Sequence, residues 1–395
     1  MREVFVAGAS TTAFGKYIDR PLRSLAEESV SGALADAGAS PSHIEAAYFA
    51  NAAAGLITGQ EMIRGQTSLR ATGLLGIPLV NVENACASGS TAFHLAWMAV
   101  ASGWVDVAMA IGAEKLTHVD KSRTFDAFNG AVDLDEFDAA TPGATRSRSL
   151  FMDLYARMAR DYMARSDATV EDFARVAVKS HANAAGNPKA QYRKPITIED
   201  VLASRTISDP LTLLMCSPIG DGAAALVLAS DSGLQKLDAD PVQVLAAVVL
   251  SASDDDGRGQ EVVTRAANRA YAEAGIGPTD LDVVELHDAA APAEVIVSEE
   301  LGIAAPGKGA ELLRSGETAI DGGIPINPSG GLLAKGHPIG ATGCSQIVEI
   351  VDQLRGRCGA RQVSDARIGL AENGGGWLRS GPAVATITIL RRSRG

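Results

Sequence analysis

The chain has 395 residues, of which 46% are hydrophobic and 21% are charged. This length and composition allow a large buried core and exclude disordered and fibrous proteins. A net charge of −12 and an aromatic content of 5% argue against nucleic acid and anionic membranes as main partners, since both favour basic proteins. No apolar run is long enough to span a bilayer, and no signal peptide is recognisable, so we expect a cytoplasmic protein.

The order of predicted elements contains an internal repeat. Residues 33–51 (ALADAGASPSHIEAAYFAN) align without a gap with residues 270–288 (AYAEAGIGPTDLDVVELHD). Each copy reads as a helix end, a glycine, a proline, a polar turn and a strand. Strand-like segments also correspond in pairs, namely Val4–Ala9 with Val242–Ser251 and Ala224–Ala229 with Val384–Leu390. The pattern predicts an α/β fold built from two duplicated halves with parallel sheets.

Cys86 is the first candidate for chemistry along the chain. An apolar strand ends near Glu83, and Cys86 lies on the turn before a helix of small residues. The start of a helix favours a thiolate, and small neighbours leave room for a substrate carbonyl. Cys86 is therefore predicted to be a nucleophile; the alternative is an inert buried cysteine.

The other cysteines are Cys216, Cys344 and Cys358. We expect them in core or surface helices, away from the chemistry. The four cysteines show no paired short spacing, so the sequence predicts neither a zinc cluster nor a disulfide framework, and no metal.

The stretch between Leu116 and Met215 is extra length in the first half. It is read as a loop, two helices and a polar connector, at Ala139–Thr145, Ser149–Arg165, Val170–Ala185 and Asn187–Arg193. Insertions on a rigid α/β scaffold commonly shape a substrate channel. We interpret this one in that way, with a structural excursion or an oligomer contact as alternatives.

A strand in the second half ends on His287 and Asp288. Strand C-terminal ends are where α/β folds place ligand groups. His287 could therefore hold a water or donate a hydrogen bond. Asp288 is interpreted as the N-cap of a helix over Ala289–Leu301.

Two glycine-rich segments follow. Asn327–Gly343 holds five glycines around His337, which predicts a loop that approaches another backbone closely and places the histidine rigidly. Ile368–Trp377 runs from a strand into Asn373 and three glycines, whose free N–H groups would suit an oxyanion. A structural histidine and a plain turn are the alternatives.

Taken in order, Cys86 in NACASG, the His287–Asp288 pair and His337 in GHPIGATG resemble the motifs of the thiolase superfamily. The His-Asp pair is closest to the sterol-carrier-protein-x, or lipid-transfer-protein-like, branch. The resemblance implies a five-layered αβαβα sandwich of two similar halves. The implied division is an N-terminal half of residues 1–117 and 216–237, an inserted loop domain of residues 118–215, and a C-terminal half of residues 238–395.

The resemblance also implies a reaction. Cys86 would accept an acyl group from a coenzyme A thioester substrate, with no permanently bound cofactor. His337 would activate the thiol and help to hold the thioester oxygen, and His287 would stand where classical thiolases carry the Asn that holds a water in that oxyanion site. The N–H groups of Cys86 and Gly375 would form a second oxyanion hole, with further candidates at Asp288, Glu372 and Asn373. Relatives of this kind act in lipid metabolism and form homodimers or homotetramers.

One part of the pattern is missing. Thiolases move a proton at the α-carbon with a second cysteine, whereas Asn373–Gly375 and Ala289 occupy the two places where relatives carry it. Acylation needs only a nucleophile, a base and an oxyanion hole. The hypotheses are therefore an acetyl-CoA acyltransferase-type enzyme, a decarboxylating or retro-aldol enzyme that could need a small OB-fold partner, and a non-catalytic acyl-CoA or lipid binder.

Overall fold

The computed structural model describes residues 1–135, 150–253, 261–379 and 381–393. Within these ranges the strands are β1 Phe5–Thr11, β2 Ala46–Ala50, β3 Leu79–Val82, β4 Val107–Glu114, β5 Thr206–Ser208, β6 Leu211–Thr212, β7 Gly222–Ala229, β8 Val242–Ser251, β9 Val283–Glu285, β10 Ile368–Gly375 and β11 Val384–Arg392. Strands β5 and β6 pair with each other. The other nine form one sheet in the order β3-β2-β4-β7-β1-β8-β11-β10-β9.

The α-helices of the described residues lie between these strands, singly or in succession. They are α1 Leu22–Asp36, α2 Ala54–Thr58, α3 Arg64–Ser68, α4 Ser88–Ala101, α5 Ser122–Asn129, α6 Leu150–Arg165, α7 Val170–Ala185, α8 Ile198–Ala203, α9 Asp231–Leu234, α10 Val262–Ala274, α11 Ala291–Glu300, α12 Gly309–Arg314 and α13 Ile339–Leu354. None of them is long and apolar enough to cross a membrane.

Apart from the edge strand β3, the sheet is symmetric about the junction of β1 with β8. Counting outward, the N-terminal half runs β1, β7, β4, β2 and the C-terminal half runs β8, β11, β10, β9. In each half the second strand is antiparallel to its two neighbours and the outermost pair is parallel. The prediction of duplicated halves is confirmed. The prediction of parallel sheets is wrong for β7 and β11; β11 follows β10 through a short connection, which permits only an antiparallel pair.

The halves pack into five layers. Helix α1 covers the outer face of the N-terminal half of the sheet, and α10 covers that of the C-terminal half. Helices α4 and α13 share one core with the inner faces of both halves. The αβαβα arrangement is therefore confirmed.

The region predicted to be an insertion forms a further cluster beside this core. Its apolar side chains come from α6, α7 and the β5–β6 region, and they pack on α11 and on Leu332 and Leu333. The helix over Val170–Ala185 is as predicted, and the preceding helix is described from Leu150 onward. The predicted loop Ala139–Thr145 lies outside the described residues.

The two central helices meet at glycines. A Cβ atom on Gly89 of α4 would lie 2.8 Å from the backbone nitrogen of Cys344, and one on Gly343 of α13 would lie 2.4 Å from that of Ser90. Real Cβ atoms do not approach backbone so closely, so only glycine permits this crossing. The first turns of both helices are thereby held side by side.

A buried carboxylate ties the helix starts to the sheet. Glu114, at the end of β4, accepts hydrogen bonds from the N–H groups of residues 52–54 at distances from 2.8 Å. It also accepts one from the N–H of Gly340 in the first turn of α13, at 2.9 Å. One side chain therefore satisfies N–H groups from both halves.

We expect Glu114→Gln to lower the free energy of unfolding by at least about 2 kcal/mol. The amide nitrogen would face N–H donors, which leaves buried donors without an acceptor. Denaturant-induced unfolding followed by circular dichroism would measure the loss. Glu61→Gln, at an exposed glutamate, is the matched control and should change stability little; equal losses in both variants would contradict the role given to Glu114.

Candidate active site

Cys86 lies on a tight turn immediately before α4, as predicted. Residues Ala85–Ala87 form a single 3₁₀ turn, and Ala85 has a φ of 47°, a region that residues with a side chain seldom occupy. The N–H of Ala85 donates to Oε1 of Glu83 at 2.6 Å, which helps to hold this backbone. The turn places the thiol at the N-terminal end of a buried helix.

His337 approaches the thiol from the other half of the molecule. Its Nε2 lies 3.3 Å from Sγ of Cys86, and its Nδ1 lies 2.7 Å from Oγ1 of Thr342. The Thr342 hydroxyl donates to the carbonyl of Pro338 at 3.1 Å, so its oxygen accepts the hydrogen on Nδ1. This network leaves Nε2 unprotonated and directed at the thiol, which is the tautomer that a general base requires.

The resting pair is electrically neutral. Burial, helped by the charge of Glu114, raises the pKa of Cys86 to about 12, although an N–H of Gly376 that reaches the sulfur opposes the shift. Burial and the neighbouring His287 hold the pKa of His337 well below its usual value. The helix N-terminus was expected to favour the thiolate, but desolvation outweighs it and raises the pKa of the thiol.

His287 completes the group. It follows β9, is buried, and its ring meets that of His337 edge to face with centroids 5.1 Å apart. Burial lowers its pKa to about 4, so it is neutral at pH 7. Its Nε2 is buried and has no hydrogen-bond partner among the described residues. One potential ligand atom each from Cys86, His287 and His337 lies within 4.8 Å of the other two.

Two further candidates, Asp288 and Glu372, hold backbone rather than face a substrate. Oδ1 of Asp288 accepts the N–H of Leu332 at 2.7 Å. The prediction that Asp288 caps a helix is therefore wrong, because α11 begins later and Ala290 is its N-cap. Glu372 accepts the N–H of His287 at 2.9 Å, and burial raises its pKa to about 7.

Asn373 also holds neighbouring segments together rather than facing a substrate. Its Nδ2 donates to Oε1 of Gln346 on α13 at 2.7 Å, and its own carbonyl accepts from Thr386 on β11. The side chain is buried and does not line the cavity described below. Asn373 therefore joins α13 to the sheet.

The glycines after Asn373 pack closely against the turn that carries Cys86. A Cβ atom on Gly375 would lie 2.3 Å from the carbonyl oxygen of Asn84, so Gly375 is a close-packing residue. The prediction of a free loop here is wrong, because β10 continues to Gly375 and pairs with Val384 of β11. The N–H that lowers the pKa of the thiol belongs to Gly376, one of the three glycines named from the sequence, whereas the family resemblance implied Gly375.

The segment around His337 is more regular than predicted. Gly331–Lys335 forms one π-helical turn, and α13 begins at Ile339, four residues before the predicted end of the loop. Tertiary packing overrides the poor helix propensity of glycine here, since Gly340 and Gly343 are where α13 touches neighbouring backbone. The predicted close approach of backbone is confirmed.

A cavity of about 920 Å³ opens beside the thiol. Cys86, His287 and His337 line it, together with aromatic side chains that include Phe125, Phe128, Phe151 and Trp377. Ala289 and Gly374, from the two segments where relatives carry a second cysteine, also line it. Neither supplies a group that could carry a proton.

Sequence reasoning missed two polar groups in this cavity. Cys216 lines the cavity. Instead of lying in a helix, its backbone is extended and pairs with Ala290, which brings it next to Ala289. Tyr155 of α6 also lines the cavity, with electrostatic coupling to Cys86 and a pKa raised by burial. Periodicity could not reveal either, because both belong to the region between Leu116 and the start of β7.

Comparison with known proteins agrees with this geometry. Residues 4–232 match the thiolase N-terminal domain, and residues 249–391 match the thiolase C-terminal domain-like family. The chain belongs to the thiolase superfamily. An acetyl-CoA acetyltransferase from Methanothermobacter thermautotrophicus is 41% identical, covering 95% of this chain and 97% of the relative.

Two further relatives define the branch. Sterol carrier protein 2 of Gallus gallus is 35% identical, covering 98% of this chain and 71% of the relative. The benzoylsuccinyl-CoA thiolase subunit BbsB of Thauera aromatica is 36% identical, covering 96% of each chain. The resemblance to the sterol-carrier branch is confirmed, and the chain is an enzyme of the thiolase acyltransferase class.

Solved structures share the whole fold. An Ltp2-ChsH2(DUF35) aldolase superposes with a TM-score of 0.79 at 28% identity, covering 100% of this chain and 98% of that one. Human mitochondrial 3-ketoacyl-CoA thiolase superposes with a TM-score of 0.75 at 16% identity, covering 100% and 99%. The second likeness concerns the fold alone.

The neutral resting pair predicts how Cys86 reacts with iodoacetamide. Because the pKa of the thiol is about 12, the thiolate fraction, and with it the alkylation rate, should rise about tenfold per pH unit between pH 7 and 9. Peptide mass spectrometry must follow Cys86 itself, because Cys216 lines the same cavity. A plateau below pH 8 would instead reveal a preformed thiolate–imidazolium pair and contradict the prediction.

Proposed function

We propose that the enzyme transfers the acyl group of a coenzyme A thioester to the Cys86 thiol as the first step of its reaction. The observation that carries this proposal is the 3.3 Å contact between Sγ of Cys86 and Nε2 of His337. The Thr342–Pro338 network keeps that nitrogen free of hydrogen. A thiol, an adjacent base and a group that orients the base are the elements of nucleophilic catalysis.

The proton follows a closed path in this proposal. His337 takes the proton of Cys86 as the sulfur attacks the thioester carbonyl carbon, and a new carbon–sulfur bond forms. The tetrahedral oxyanion then collapses and the bond to the coenzyme A sulfur breaks. The leaving thiolate takes the proton back from His337 and departs as free coenzyme A, so the enzyme holds an acyl group and no net charge is created.

We propose that two groups of donors stabilise the oxyanion. His287 is neutral, and a hydrogen on its unpartnered Nε2 would point into the site beside His337. The N–H groups of Cys86 and Gly376 lie near enough to the sulfur to lower its pKa. We propose Gly376 in the role that the resemblance implied for Gly375. Preorganised donors of this kind strengthen as charge develops in the transition state.

The cavity supports a bulky acyl chain. An acetyl group would fill little of 920 Å³, and the aromatic lining favours an extended or ring-bearing hydrocarbon. This agrees with the proposed role in lipid metabolism. Lys16 and Arg205 also line the cavity, are exposed, and have no ion-pair partner among the described residues. We propose that they bind coenzyme A phosphates.

A second candidate concerns the step after acylation. The aldolase that superposes at 28% identity contains a DUF35 protein, which favours retro-aldol cleavage of a β-hydroxyacyl-CoA with an accessory partner. The cavity positions at Ala289 and Gly374 also lack the second thiol of a Claisen reaction. In this alternative the same site binds the thioester, and the products are a shorter acyl-CoA and an aldehyde or ketone.

Other features of the enzyme follow from its family. We propose a homodimer or homotetramer located in the cytoplasm, with an inserted loop domain over residues 118–215. The N-terminal half would comprise residues 1–117 and 216–237, and the C-terminal half residues 238–395. The apolar cluster formed by α6 and α7 supports the limits of the insertion.

Acylation of Cys86 is directly measurable. Incubation with acetyl-CoA, and separately with a long-chain or aryl acyl-CoA, should raise the mass of the intact protein by one acyl group. Peptide mapping should place that group on Cys86, and Cys86→Ala should abolish it because no other thiol contacts His337. Cys216→Ser is the matched control, since it removes the neighbouring cavity thiol and should retain the adduct on Cys86.

The same experiment separates the alternatives. An adduct on Cys216, or none with any acyl-CoA, would overturn acylation of Cys86. Release of an aldehyde or ketone from a β-hydroxyacyl-CoA without an adduct would favour the aldol reaction. Acyl-CoA binding that Cys86→Ala leaves unchanged, with neither product nor adduct, would indicate a non-catalytic binder.

Arg205→Gln should raise the KM for acyl-CoA roughly tenfold, because a charge-assisted hydrogen bond to phosphate is lost. The KM for the corresponding acyl-N-acetylcysteamine thioester, which has no phosphate, should not change. Steady-state kinetics with both thioesters measures the difference. Arg269→Gln, on the outer helix α10, is the control; equal effects on the two thioesters would contradict the assignment.

A further inference from the structure

The three polar groups beside the cavity also form a set of metal ligands. A thiol and two imidazoles converge, with one donor atom from each of Cys86, His287 and His337 within 4.8 Å of the others. The residues are distant in sequence, so the spacing of cysteines could not reveal them. Cysteine sulfur together with histidine nitrogen is the donor set that Zn²⁺ prefers.

The spacing is close to that of a tetrahedral site. Zinc–sulfur and zinc–nitrogen bonds of about 2.3 and 2.0 Å place sulfur and nitrogen ligands roughly 3.5 Å apart. The pair formed by Cys86 Sγ and His337 Nε2 is already at 3.3 Å. Side-chain rotation of His287, whose Nε2 has no competing hydrogen bond among the described residues, would complete a three-ligand site.

The surroundings fit a metal ion in two further ways. Metal-bound histidines usually donate their second N–H to a fixed acceptor, and Nδ1 of His337 does so to Thr342 at 2.7 Å. All three ligands line the cavity, so a fourth position is open to water or to a ligand sulfur. The carboxylates of Glu114 and Glu83 are near enough to influence Cys86 electrostatically, and both would favour a cation.

We propose that Cys86, His287 and His337 form a reversible Zn²⁺ site whose occupation blocks acyl transfer. Binding forms a zinc–sulfur bond and the thiol proton passes to solvent. His337 binds through its unprotonated Nε2, and His287 binds through Nε2 once its ring hydrogen is on Nδ1. The sulfur and Nε2 of His337 are then no longer available for catalysis. Binding itself is independent of the proposed function, whereas the inhibition rests on it.

Cobalt serves as a spectroscopic probe of the site. Titration of the reduced, chelator-free enzyme with Co²⁺ should give one equivalent of a thiolate-to-cobalt charge-transfer band, and Zn²⁺ should displace it. The band should be absent from Cys86→Ser, and the affinity should fall at least about tenfold in both His287→Ala and His287→Asn. Cys216→Ser, which alters the other cavity thiol, should bind Co²⁺ like the parent enzyme.

Inhibition is tested in parallel by following acyl-adduct formation. Equimolar Zn²⁺ should suppress the adduct and protect Cys86 from iodoacetamide, and EDTA should restore both reactions. Absence of the band, or a band that persists in Cys86→Ser and both His287 variants, would overturn the proposal. A normal band in an enzyme that forms no adduct would instead leave the metal site standing and reject the acyl-transfer function.

Discussion

The carboxylate of Glu114 is the contact on which the site geometry depends. It accepts N–H groups from residues 52–54 in one half and from Gly340 in the other. Gly340 lies one turn beyond His337, so this anchor helps to set where the imidazole meets Cys86. The glycine crossing of α4 and α13 allows no sliding. A charged acceptor and a steric contact together align two halves that share few strand pairs at β1 and β8.

Burial then decides the protonation state of the aligned groups. Desolvation keeps the Cys86 thiol and both histidines neutral at rest, and it outweighs the helix N-terminus. A neutral thiol beside an unprotonated Nε2 is protected from adventitious alkylation, yet it can form a thiolate as the proton moves to His337. The unprotonated Nε2 of His337 would also bind a soft cation, together with the sulfur and with His287 in its other tautomer, so one arrangement supports two proposals.

Much of the fold was predictable because it depends on local sequence patterns such as hydrophobic periodicity and glycine position. The repeat at 33–51 and 270–288 predicted the duplication, and the strand ends predicted where Cys86 and His287 lie. The antiparallel direction of β11, the extended segment at Cys216 and the contact of Asp288 with Leu332 were not predictable. Each depends on which chain segment packs alongside, and residue periodicity carries no information about that partner.

The sequence by itself determined the duplicated α/β architecture, the turn that carries Cys86 and the glycine-rich approach of His337, because glycine spacing and hydrophobic alternation are local properties. Only the tertiary structure decided that Nε2 of His337 faces the sulfur as an acceptor. Only the fold placed Gly376 rather than Gly375 at the thiol and brought Cys216 and Tyr155 into the cavity. Tautomer, desolvation and cavity lining arise from neighbours far away along the chain, so they exist only once the core has closed.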